Sequence, residues 1–193
     1  AEETLALMRS IVAKGEADYL VPERVWKEFS RALTEQDPAI FMASLDACQA
    51  TACIMPELAE PNYLSDLVPT CEQSKDPHIR FAALMCRLDE QAIRQYCERL
   101  TVPKDYRDLA LCTASTLKHF DSKSLPDEPS LLNILVSLDA FRREERSLLC
   151  LSACEIISNN SEMRALIERA LQQCQAIDLK EIASSGFKGK AFG

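Results

Sequence analysis

Three prolines frame this sequence. Pro22, Pro38 and Pro77 each carry a helix-start signal beside them. Proline lacks the backbone N–H that an interior helical turn needs, but the first turn tolerates it, because that N–H would be unpaired there anyway. Glu23 follows Pro22 and places an acid where the helix dipole favours it. Asp37 and Asp76 precede the other two prolines as side-chain caps. An apolar stripe runs behind each start. Behind Pro22 it is Val25, Phe29 and Leu33, with Trp26 on the flank. Behind Pro38 it is Phe41, Leu45 and Cys48. Behind Pro77 it is Ile79, Phe81, Leu84 and Leu88. Arg24 and Glu28 are four apart, so they share a face and can pair. Spacing alone leaves an ordinary surface pair and a structural brace equally open.

The rest of the chain reads the same way. Residues 2–14 form an amphipathic helix with Leu5, Met8, Ile11 and Val12 on its stripe, stopped by Gly15. A short turn of helix falls near 52–58. Helices are expected over 90–100, 103–119, 144–157 and 162–177. The last carries Met163, Leu166, Ile167, Ala170, Leu171 and Cys174 on one face. Residues 120–129 read as a polar loop, with Ser122, Ser124, Pro126 and Pro129. Residues 131–136 are apolar nearly all round, which predicts a helix buried on most sides. No period-two alternation is long enough to argue a strand. The fold class expected is all-α, a multi-helix array of about nine or ten helices. Glu60-Pro61-Asn62 breaks the pattern. It sets a soft boundary between a first unit, 1–60, and a second, 61–193.

Composition narrows the function classes. The net charge is −8, which argues against nonspecific coating of nucleic acid but leaves room for a local basic patch. No apolar run approaches the roughly 18 residues of a membrane span. The start, Ala1-Glu2-Glu3-Thr4, has neither the basic opening nor the apolar core of a signal peptide. It also lacks a Met, so a fragment or processed product is expected. Nine cysteines stand among mostly apolar neighbours, with no CxxC, and read as reduced core residues of a cytoplasmic protein. Cys150 and Cys154 are four apart and could share a metal. With only His78 and His119 in the chain, a zinc site is not expected. There is no GxGxxG, GxxxxGK[ST] or GxSxG. Arg142, Arg143 and Arg146 cluster with Glu144 and Glu145 interleaved, open to both a surface charge mosaic and a phosphate site. Lys188 and Lys190 lie beside Gly186 and Gly189, where backbone N–H groups and two lysines suit a phosphate and a frayed terminus is equally open.

Several segments together resemble one family. The run from Gly15 through Leu33, with its core of Glu23, Arg24 and Glu28, and Met55-Pro56-Glu57-Leu58 after it, resembles the neck of bacterial CCA-adding tRNA nucleotidyltransferases. Ile79-Arg80-Phe81-Ala82-Ala83-Leu84 is similar to the helix leading into a His-Asp metal site in longer members. Glu98-Arg99-Leu100-Thr101-Val102-Pro103, Arg107-Asp108-Leu109-Ala110, Leu138-Asp139-Ala140-Phe141-Arg142 and Gly186-Phe187-Lys188-Gly189 resemble further family segments. Each is weak alone; five in the correct order are not.

The resemblance implies a neck and RNA-binding helical domain over 1–60 and a helical body and tail over 61–193. It makes Glu23, Arg24 and Glu28 the motif that braces the neck. It implies tRNA as partner, with Lys188 and Lys190 first and Arg142 and Arg143 second as candidate contacts. The family's nucleotidyl transfer uses paired Asp residues on a β-sheet head, with magnesium, CTP and ATP. Nothing in this chain supplies that head, so no catalytic residue, no metal ligand and no cofactor is expected here. Aligned from Arg80, the family's His-Asp pair falls on Cys86 and Arg87, and the Gly-Lys after it on Asp89 and Glu90. A cation at a ligand position argues against a metal-dependent phosphohydrolase. Two other readings stay open: a poly(A) polymerase of the same superfamily, and a non-enzymatic helical interaction module.

Overall fold

The computed structural model describes residues 2–58, 63–122 and 124–177. Those residues form eleven α-helices and no strand, ten of the helices having seven residues or more. They are α1 (Glu2–Ala13), α2 (Pro22–Thr34), α3 (Pro38–Ala47), α4 (Ala50–Ile54), α5 (Leu64–Gln73), α6 (Pro77–Met85), α7 (Glu90–Arg99), α8 (Lys104–Phe120), α9 (Glu128–Ser137), α10 (Glu144–Ser158) and α11 (Ser161–Gln175). Short 3-10 turns cover Glu16–Tyr19 and Pro56–Leu58. The all-α expectation holds.

The three proline starts are as the sequence predicts. Pro22, Pro38 and Pro77 each open a helix. Asp37 Oδ1 accepts from the Ala39 N–H at 3.1 Å, and Asp76 Oδ1 from the His78 N–H at 2.8 Å. Gly15 closes α1 in the left-handed conformation, φ +72°. Asp127 accepts from the Ser130 N–H at 3.0 Å, so α9 begins at Glu128 and takes Pro129 into its first turn. The expected loop therefore ends earlier than 129. The sequence pattern predicts no helix where α5 stands; Pro69 inside it interrupts the signal.

Two apolar cores share α6 and α8. The first gathers Trp26, Phe29, Leu33, Met42, Met55, Leu67, Phe81, Ile93 and Tyr96. Trp26 is only 8% exposed. Its ring meets Phe81 edge-on at 5.5 Å and Tyr106 at 5.0 Å, geometry worth about 0.5–1.5 kcal/mol per pair beyond area burial. The second core gathers Leu109, Leu117 and Phe120 of α8, Leu131, Ile134 and Leu135 of α9, Leu151 of α10, and Met163, Ile167 and Leu171 of α11. α9 is not buried on most sides. Leu132 and Val136 are 48% and 62% exposed. The helix lies on the outside of this core, so only its Leu131–Ile134–Leu135 stripe is covered.

Six of the cysteines, Cys48, Cys86, Cys97, Cys112, Cys150 and Cys154, are buried. Burial pushes the Cys97 thiol up to about 12, which keeps it protonated and inert.

One charged side chain lies deep in the first core region. Arg80 is 1% exposed. It donates through Nε to Ser74 O at 2.8 Å, through Nη1 to Leu33 O at 2.8 Å and Glu35 O at 2.7 Å, and through Nη2 to Cys71 O at 3.3 Å. Those carbonyls belong to the C-terminal ends of α2 and α5. Both ends carry partial negative charge and unpaired acceptors, so the guanidinium caps two helices at once.

Candidate functional site

Two of the three residues expected to form the neck motif, Arg24 and Glu28, stand at the rim of an apolar groove. Val25, Phe29, Phe41, Leu45, Ile54 and Met55 line a cavity of about 310 Å³, with Arg24 and Glu28 at its edge. Tyr19, Leu20 and Val21 flank it and are exposed. Glu23, Arg24 and Glu28 are all exposed. Arg24 and Glu28 share a face, but no ion pair within 4 Å joins them among the described residues. What fixes α2 is Trp26, Phe29 and Leu33 beneath them.

Motif segments distant in sequence meet in space. Arg99 Nη2 pairs with Glu57 Oε2 at 2.6 Å, Nη1 donates to Ile54 O at 2.8 Å, and the guanidinium lies 5.7 Å from the centre of the Tyr96 ring. This joins the Glu98–Pro103 segment to the Met55–Leu58 segment. α7 then ends with Thr101 in the left-handed conformation, φ 54°, and Val102 N–H donating back to Cys97 O at 2.9 Å. α9 ends alike: Asp139 has φ 54° and Ala140 N–H donates to Leu135 O at 3.0 Å. Asp139 and Asp108 both face Arg143, each at 3.6 Å, which joins the Arg107–Ala110 and Leu138–Arg142 segments.

Cys86 and Arg87 sit where the resemblance put the altered His-Asp pair. Arg87 Nε and Nη2 grip the two oxygens of Asp66 at 2.9 and 3.1 Å, and Nη1 reaches Asp121 Oδ2 at 2.8 Å. These hydrogen bonds, Asp66 foremost, hold the guanidinium firmly in its charged form. The Cys86 Sγ–H donates to Ala83 O at 3.1 Å and to Asp66 Oδ2 at 3.6 Å. Burial, then the Asp66 charge, pushes its thiol pKa up, so it is no thiolate ligand. The carboxylates that could hold a divalent cation are already occupied by a fixed cation. These residues do not fit a metal.

The other candidate, Arg142 with Arg143, opens onto a large cleft. It has a volume of about 1120 Å³ and is lined by Asp76, His78, Lys104, Asp105, Asp108, Arg142, Arg143, Glu144, Glu145 and Arg146. α6, α8 and α10 all begin at it. His78 bridges two of those starts: Nδ1 lies 3.1 Å from Asp76 Oδ1, Nε2 lies 3.1 Å from Asp105 Oδ2, and the ring stacks on Tyr106 at 3.9 Å. Partial burial pushes the Asp105 carboxyl up, but the His78 hydrogen bond and local backbone N–H groups bring it below its usual range. Arg146 Nη2 donates to Leu138 O at 2.8 Å, while its buried Nε has no partner. Lys188, Lys190 and the Gly186–Gly189 segment lie outside the described residues, as does the Glu60-Pro61-Asn62 break.

The chain has curated relatives along its whole length. It is 35% identical over 192 residues to the "CCA-adding enzyme" of Coxiella burnetii, a match that covers 98% of this chain and 51% of that protein. It is 35% identical over 237 residues to the "Multifunctional CCA protein" of Teredinibacter turnerae, covering 100% of this chain and 58% of that protein. A "CCA-adding enzyme" of Pseudomonas putida is 33% identical over 199 residues, covering 100% of this chain and 54% of that protein. Along nearly its whole length the chain is similar to these CCA-adding proteins. It spans about half the length of the curated relatives it matches. No family model matches it, and neither does a solved structure.

The sequence names Arg142, Arg143 and Arg146 as one basic cluster; the structure puts all three on this cleft and adds Lys104, which the sequence reading passed over. Lys104 follows Pro103 directly and so had a signal: a basic residue at the mouth of a predicted helix. Arg146 was visible only as part of a charge mosaic. Arg80 and the Asp66–Arg87–Asp121 set had no local signal at all, since their partners lie 6 to 47 residues away.

Proposed function

We propose that this chain is the tRNA-binding part of a tRNA nucleotidyltransferase that adds or repairs the 3′-terminal CCA of tRNA using CTP and ATP. The observation that carries this is the match to CCA-adding proteins along nearly the whole chain. Nucleotidyl transfer needs carboxylates that bind metal ions, and the ions hold both reacting oxygens. The described residues bring no three His, Cys, Asp or Glu side chains together for such a site. We assign the transfer step, its magnesium and its nucleotides to the part of the relatives that this chain does not match. The helical surface supplies the shape-selective hold on folded RNA, since duplex RNA offers little base information in its deep groove. We place the protein in the cytoplasm, where its many thiols stay reduced. No described helix is long and apolar enough to cross a membrane.

The test is direct. The whole protein, given tRNA trimmed of its 3′ end, extends it by C, C and A, whereas this chain alone adds nothing and still binds tRNA. A-tract synthesis by the whole protein turns the reading to a poly(A) polymerase. Addition by the isolated chain overturns the assignment of the chemistry elsewhere. Binding to neither tRNA nor a trimmed tRNA overturns the RNA role.

A further inference from the structure

One face of α9 is apolar and left open by the described residues. Leu131, Ile134 and Leu135 seat the helix on the second core, where it packs against α11. Leu132, Asn133, Val136 and Ser137 are exposed, and none of them carries a charge. Leu132 and Val136 are four apart and so adjacent on the helix surface. Leu125 and Phe141, 56% and 48% exposed, stand just before and just after it in the sequence. Exposed apolar side chains scattered singly are ordinary, but a concentration of them on one element marks a surface that something covers.

The fold brings the end of the described chain to this helix. Asn160 Nδ2 donates to Phe120 O at 3.0 Å, so α11 starts at the end of α8, the side from which the chain enters α9. Gln175 Nε2 donates to Glu144 Oε2 at 3.2 Å, and Ser147 Oγ, one turn into α10, donates to Leu138 O at 3.1 Å. The chain therefore leaves α11 beside the end of α9, and Ile177 at the exit is 50% exposed. Residues 178–193 follow. They can span at most about 50 Å, whereas the ten residues of α9 rise only about 15 Å. They carry Leu179, Ile182, Phe187 and Phe192, and three lysines against Asp178 and Glu181. Residues 124–141 carry Asp127, Glu128 and Asp139 and no basic residue. A segment with a positive excess thus suits this strip. A second copy of the chain, paired about a two-fold axis, would set the same three acids against themselves.

We propose that residues 178–193 fold back over the open face of α9, with Leu179, Ile182 and Phe187 covering Phe141, Val136 and Leu132. The segment enters at the Phe141 end and runs toward the helix start. Lys188 and Lys190 then come to rest beside Asp127 and Glu128, which are exposed.

The experiment is timed trypsin digestion of the full chain, read by intact mass at the cuts after Lys188 and Lys190. The variants are Leu132→Asp with Val136→Asp, and a chain ending at Ile177. Both α9 side chains are exposed, and circular dichroism checks that the double variant folds; should it melt early, Leu132→Ser with Val136→Ser replaces it. The expected result is slow cutting in the unaltered chain and cutting about tenfold or more faster in the double variant, with cuts elsewhere unchanged. Melting gives a second readout. Removing 178–193 should lower the melting temperature of the unaltered chain by about 2–4 °C and that of the double variant by much less, because the contact is already lost there. Equal cutting of the two chains overturns the proposal, as do two melting losses that simply add. Sedimentation tests the second copy: a dimer that the double variant dissolves, with the segment cut equally fast in both, gives this face to self-association instead. None of these readouts needs RNA, so their failure leaves the function proposed above untouched.

Discussion

Arg80 and Arg87 are seven residues apart and meet opposite surroundings. Arg80 is shut away from water and faces only backbone carbonyls. Arg87 is part-exposed and faces two carboxylates. Burying a full charge without a counter-charge is costly. Around Arg80 that cost is offset by acceptors that would otherwise be orphaned at two helix ends. Arg87 instead neutralises Asp66, itself a buried acid. The first arginine makes unpaired backbone into structure. The second cancels a charge that the fold has buried. One side-chain type thus does two jobs, and only the partners tell them apart.

Substitutions can break that contrast. Arg80→Met leaves four carbonyls without their donors and should cost about 4–5 kcal/mol in urea unfolding, near the upper range for breaking a buried charge network. A loss below about 1 kcal/mol would mean water replaces the guanidinium without penalty. Arg80→Lys should recover little, because an ammonium cannot fork toward two helix ends. Trp26→Ala asks whether the first core depends more on its rings than on that clamp. A cost of about 3–4 kcal/mol is expected for the buried indole, and an unmoved melting temperature would contradict its burial.

Arg87→Met should cost about 1–2 kcal/mol near neutral pH, less than either, since the arginine is partly exposed. Asp66 then stays buried without its cation. No measurable loss would show that Asp66 finds another partner. Arg24→Ala completes the series as the exposed, unpaired case, with an expected change below about 0.5 kcal/mol. A larger loss would restore the brace role that the Arg24 and Glu28 spacing allows.

Helix starts were legible because their causes are local. A capping Asp beside a Pro acts within three residues, and all three proline starts stand as read. The left-handed ends were harder: Thr101 and Asp139 are not glycine, yet both take φ 54°. α5 was hidden because Pro69 reads as a break, although the helix continues through it. The outward face of α9 was misjudged because Leu132 and Val136 are apolar and exposed; periodicity cannot separate a helix that is covered all round from one that is merely greasy. For the cleft, residue types were legible and engagement was not. Arg142 and Arg143 are adjacent in sequence, and only the fold shows that Arg143 is tied to carboxylates while Arg142 meets none among the described residues.

The double cap at Arg80 has a mechanical side. It pins the last turn of α2 to the end of α5, while the Pro22 end of α2 borders the apolar groove with no such fastening among the described residues. Trp26 and Phe29 seat the middle of the helix in the first core, so the clamp's own contribution lies at the Leu33 and Glu35 end. Backbone amides near Pro22 should exchange with deuterium well before those near Leu33, and Arg80→Met should erase the gradient.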